Sequence, residues 1–100
     1  MKIVYAVKWI EIEFGQRDEG YVLYLDKDDC IRDTKKSSEN GLYVDGGYFG
    51  PIRPLYFIRV PMDSLDKRLK QYLCKGTTWR MRTETNWKPE FFSEKEYIDV

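Results

Sequence analysis

The sequence predicts an α+β fold: a mainly antiparallel sheet of four to five strands carrying two helices, in the order β-β-α-β-α-β with a trailing strand. Three observations predict it. Apolar residues alternate with a period of two over 2–14 and 77–84, two stretches combine a capping acid with helical spacing, and glycine and proline punctuate the joins. One hundred residues with 42% hydrophobic content suffice for the core of one domain, so the chain reads as a single domain over 1–100.

The first strand runs from Lys2 to Phe14, with Ile3, Tyr5, Val7 and Trp9 on one face and Ile10, Ile12 and Phe14 on the other. The phase slips by one residue near Trp9 and Ile10, the mark of a β-bulge or bend. Gly15 to Gly20 turns the chain, and Tyr21 to Leu25 returns as a continuous apolar run suited to a central strand. Asp26 caps the first helix, which has acids at its start, Lys35 and Lys36 near its end, and a thin apolar stripe of Cys30, Ile31 and Thr34. Ser37 to Asn40 is expected to fray into a loop.

Leu55 to Val60 is the third strand, stopped by Pro61. A second helix follows with Asp63 as its cap: Leu65, Leu69, Tyr72 and Leu73 fall on one face, Lys67, Arg68, Lys70 and Lys75 on the other, and Gly76 lies where a C-terminal cap belongs. Thr77 to Glu84 alternates as a half-exposed strand with Trp79 and Met81 inward and Arg80 and Arg82 outward. Tyr97 to Val100 forms a last short strand.

Composition removes several classes of chemistry. The absence of histidine takes away the commonest general base and metal ligand, so no catalytic residue, structural metal or cofactor is expected. Two cysteines, Cys30 and Cys74, read as small partly buried thiols and not as a disulfide framework. No stretch has the length of a membrane span or the pattern of a signal peptide, and the expected location is cytoplasmic. Formal charge is zero but uneven, with seven acids against two bases over 11–29 and eight bases against three acids over 59–88. A neutral chain argues against strong unspecific phosphate binding and allows one basic face.

The segment from Asn40 to Tyr56 is the strongest candidate for function. Gly46, Gly47 and Gly50 free its backbone and Pro51 and Pro54 hold its exit extended, so that it reads as a loop presenting Tyr43, Tyr48, Phe49 and Arg53. Rings and arginine concentrate binding energy at interfaces; the alternative is a lid folded over a sheet edge. A second candidate is a basic face made by Arg59, Lys67, Arg68, Lys70, Lys75, Arg80 and Arg82, against the plain alternative of a solvated helix face. Glu11 with Glu13 fits ordinary strand alternation better than a catalytic pair, and Asp26, Asp28 and Asp29 fit capping better than a calcium loop. The aromatic run Asn86 to Phe92 must dock, either on its own sheet or on a second copy in a homodimer.

A hairpin entering an Asp-capped helix, followed by a strand ending Arg59-Val60-Pro61-Met62-Asp63-Ser64-Leu65, resembles the layout of small α+β proteins encoded by phages and prophages. That resemblance implies action by binding: an inhibitor or adaptor that blocks a host enzyme or a defence complex such as a CRISPR effector, or sequesters a nucleotide. The expected function is therefore a non-enzymatic binding protein whose partner is another protein. Its binding residues are Tyr43, Tyr48, Phe49, Arg53, Arg68, Arg80 and Arg82. The alternatives are capture of a small nucleotide or nucleic acid by ring stacking with arginine, and an enzyme of unrecognised type.

Overall fold

The computed structural model describes residues 2–11, 19–40, 42–44, 47–49, 52–73, 82–83 and 86–98; for residues 10, 11, 19, 34, 36–40, 42–44, 47–49 and 52–54 the description is of the backbone alone. The expected positions of Cys74, Trp79, Arg80 and Met81 lie outside the described residues. The fold is α+β. Strands β1 (Ile3–Glu11), β2 (Glu19–Tyr24), β5 (Ile52–Pro61) and β6 (Glu96–Tyr97) form an open antiparallel sheet in the order β2-β1-β5-β6. Helix α1 (Lys27–Asn40) and a two-stranded sheet of β3 (Leu42–Val44) and β4 (Gly47–Phe49) lie between β2 and β5, and a 3-10 turn (Met62–Ser64) with α2 (Lys67–Lys70) follows β5.

Strand alternation divides the core in two. Val4 and Ala6 of β1, Tyr21 and Leu23 of β2, and Tyr56, Ile58 and Val60 of β5 share one face, which is covered by Leu65 and Leu69 and by half-buried Met62, Tyr72, Leu73, Trp87 and Phe92. Val7, Trp9, Val22 and Tyr24 occupy the other face with Cys30 of α1, flanked by Tyr5, Phe57 and Ile98. Tyr5, Val7 and Trp9 thus share a face as the sequence predicts. The sheet slips where expected, but the extra residue is on β5: Lys8 pairs with Tyr56 and Trp9 with Pro54, leaving Leu55 unpaired toward β1. Proline has no N–H for the ladder, so a bulge beside Pro54 costs β5 little. The Leu55 carbonyl instead accepts from the Ile98 N–H at 2.9 Å.

Six expectations are corrected. The apolar run 21–25 is an edge strand, β2, and Leu25 lies outside it, 52% exposed. The outer side of β2 is partly covered by a parallel bridge from Leu23 to Leu73 and by Thr83, whose N–H reaches the Tyr21 carbonyl at 2.8 Å while its Oγ1 accepts from the Tyr21 N–H at 3.2 Å. The helix capped by Asp26, whose Oδ1 accepts from the Asp28 N–H at 2.9 Å, does not fray at Ser37 but runs to Asn40. Among its described side chains the buried ones are Cys30 and Asp33, Thr34 lying outside the description, and Ile31 is 54% exposed, because the Tyr24 hydroxyl donates to Asp33 Oδ2 at 2.9 Å and makes that acid buriable. The second helix shrinks to one turn capped by Asp66, not Asp63: Asp66 Oδ1 accepts from the Leu69 N–H at 2.8 Å, and the chain then leaves for the bridge at Leu73. The last strand is Glu96–Tyr97 and excludes Ile98, with residues 99–100 outside the described ones; Arg82 and Thr83, the described part of the expected strand 77–84, dock outside any strand.

Gly20 permits that docking. A Cβ there would lie 2.8 Å from both the Arg82 Cβ and the Thr83 carbonyl oxygen, the latter a backbone atom that cannot rotate away. Gly20→Ala is expected to cost about 1–3 kcal/mol. Urea unfolding measures the loss, and faster amide exchange at Thr83 locates it.

Candidate functional site

The stretch 40–56 is not one displayed loop. The strands β3 and β4 pair Tyr43 with Tyr48 and Leu42 with Phe49 in a sheet of their own, and β5 already begins at Ile52, so Arg53 and Pro54 belong to the main sheet. Helix α1 fixes where this hairpin emerges. It starts at Lys27, whose ammonium lies 5.8 Å from the Phe57 ring, and its 14 residues carry the chain back along the sheet for about 20 Å toward the Trp9 end. Ile10 is the register partner of both Arg53 and Glu19, and Trp9 of both Pro54 and Gly20, so Arg53 sits about 10 Å across the sheet from Glu19. Arg82 approaches Gly20 in the neighbouring row. The topology therefore gathers Tyr43, Tyr48, Phe49, Arg53 and half-buried Arg82 at one end of the sheet.

Arg68 is elsewhere. It is exposed on α2, after the far end of β5, and the strand from Ile52 to Pro61 spans roughly 30 Å. Arg59 does not join α2 in one positive face either. Alternation puts Arg59 on the opposite side of β5 from Ile58 and Val60, where its guanidinium carbon lies 5.7 Å from the Tyr5 ring and 5.8 Å from that of Phe57. Its Nε and Nη2 donate to Glu96 at 2.7 and 3.2 Å; the pairing holds Glu96 below the usual carboxylate range and raises Arg59 further. Arg80 lies outside the described residues.

Two constellations escape the sequence pattern. At the hairpin end Trp9 is wholly buried and its Nε1–H meets no acceptor among the described residues. On the other face of the sheet, one row crosses all four strands through successive register partners: Tyr21, Lys8, Tyr56 and Tyr97. The Tyr21 hydroxyl donates to Glu90 Oε1 at 2.6 Å, so its contact at 3.1 Å with the Tyr56 hydroxyl takes its proton from Tyr56. Lys8 Nζ stands 4.7 Å from the Tyr21 ring, Lys95 Nζ 4.8 Å from that of Tyr56, and Trp87 meets Tyr21 edge-on at 5.6 Å.

Burial, then the bonds to Glu90 and Tyr56, push the Tyr21 phenol far up, so it stays protonated and donates. Burial alone would raise Glu90, but the Tyr21 bond, a backbone N–H, Lys8 and Lys88 outweigh it and leave that carboxyl below its ordinary value. The arrangement can anchor a segment. A phenol held protonated beside a carboxylate held ionised is a poor general base with a weakly basic acceptor. No spacing in the sequence could pair Tyr21 with Glu90, which is 69 residues away.

A groove of about 620 Å³ at the opposite end is lined by Lys2, Ile3, Tyr5, Leu25, Asp26 and Lys27 among others, mixing both charges. Among the described residues no three or more of Cys, Asp and Glu gather in a way that could hold a metal ion, and no helix is long and apolar enough to cross a membrane. No family model, curated protein or solved structure matches the chain.

Proposed function

We propose that this protein acts by binding another protein, as a non-enzymatic inhibitor or adaptor, through the hairpin end: Tyr43, Tyr48 and Phe49 with Arg53 and Arg82. The observation that carries this reading is the delivery of the hairpin, by α1 on one side and β5 on the other, to the end of the sheet where Arg82 docks at Gly20. Aromatic residues and arginine are the types that dominate interface energies, and a backbone already paired as a hairpin and tethered at both ends has less entropy to lose on binding. Arg68 and the rest of α2 stand outside this surface.

The test is quantitative co-purification from lysate of the source cells with Tyr48→Ala/Phe49→Ala and, separately, Arg68→Gln. The hairpin variant is expected to weaken capture of its partner by about 30-fold or more, corresponding to at least one hot-spot residue of about 2 kcal/mol, while its circular dichroism and melting temperature stay near those of the parent. Arg68→Gln is expected to change capture less than about threefold. A hairpin variant that keeps full capture, or that unfolds, removes the reading: in the second case the rings are core.

A further inference from the structure

We propose that residues 86–98 form a clasp that closes over the sheet and opens as one unit, held at its two ends by Glu90 on β2 and Glu96 on β5. The segment makes few regular backbone pairs. Among the described residues strand β6 pairs with β5 at Tyr56–Tyr97 and Phe57–Glu96, and the other anchors are individual contacts: Tyr21 to Glu90, the Arg59 N–H to Ser93 Oγ at 2.9 Å, Arg59 to Glu96, and the Ile98 N–H to Leu55. Between them Pro89 is fully buried and Trp87 and Phe92 pack on the sheet face. Thr83 is bonded to Tyr21 independently of these anchors, so the clasp can leave while Thr83 stays docked.

Opening uncovers the row of Tyr21, Lys8 and Tyr56. It also strips β5 of the partners of its Arg59 N–H and Leu55 carbonyl, two edge groups that a strand can take. Both end anchors are carboxylates. Glu90 is faced by Tyr21 from β2, itself bonded to Tyr56 of β5, by Lys8 from β1 and by Lys88 from its own segment; Glu96 is faced by Arg59 from β5 and Lys27 from α1. Because both are ionised more readily in the folded chain than when free, their hold is full above the ordinary glutamate range, about pH 4, and is lost as the pH falls through their lowered values.

Amide exchange on the full chain at several pH values, corrected for intrinsic rates, tests this with the parent, Glu90→Gln, Glu96→Gln and Ser93→Ala. The amides of Arg59 and Ile98 are expected to lose protection together on acidification, ahead of β1 amides such as Val7, with the Trp87 indole resonance shifting in step. At neutral pH each Glu→Gln variant is expected to open the clasp about tenfold more often, as the loss of a hydrogen bond to an ionised group implies, with a flatter acid response because the titrating carboxyl is gone. Ser93→Ala removes one anchor without touching either carboxylate and should raise opening while keeping the acid response. The proposal is overturned if Arg59 and Ile98 exchange with different free energies, or if both exchange only when Val7 does.

Discussion

Tyr21→Ala is expected to destabilise the protein by about 3–5 kcal/mol, the range for deleting a buried aromatic side chain. The ring is only 2% exposed and touches Tyr56, Trp87 and Lys8, so its loss opens a cavity between the sheet and the C-terminal segment. Tyr21→Phe separates packing from polarity. It keeps the ring and deletes one oxygen, leaving Glu90 without its 2.6 Å donor and Tyr56 without an acceptor for its proton, at about 1–3 kcal/mol. Urea midpoints give both values. A Phe variant as stable as the parent would mean that the Tyr21–Tyr56–Glu90 cluster contributes nothing net.

Trp9→Ala is the second large effect, again about 3–5 kcal/mol, because the indole is wholly buried against Val7, Val22, Tyr24 and Cys30. Trp9→Phe is expected to cost under about 1.5 kcal/mol, since a smaller ring leaves a void but also removes the Nε1–H, which has no acceptor among the described residues. Denaturant unfolding distinguishes the two substitutions. If Phe proves as costly as Ala, shape at this position outweighs the missing hydrogen bond.

Much of the fold is legible in the sequence because it depends on local periodicity and caps. The faces of β1, the slip near Trp9 and the Asp26 cap all follow from residues within a few positions of one another. Errors begin where a distant partner decides. Nothing local says that Leu73 will bridge to Leu23 and cut α2 short, or that Tyr24 will make Asp33 a better buried residue than Ile31. The apolar phase places the bulge in the first strand, but the extra residue is on β5, since only the pairing shows which side carries it.

The candidate site divides in the same way. Glycines and rings mark the hairpin, and the topology then separates Arg68 from Arg53 by the length of β5. Tyr21, Tyr56 and Glu90 carry no joint signal, because each reads singly as an ordinary strand or surface residue.

The central claim is that the hairpin end meets a protein partner, and site-specific photocrosslinking in lysate of the source cells tests it most directly. A photoreactive residue is placed at position 48 and, in a separate sample, at position 68. The account predicts one discrete protein adduct from position 48 that disappears on Phe49→Ala, and none from position 68. An adduct from position 68 alone, or adducts to nucleic acid in place of protein from position 48, would contradict it.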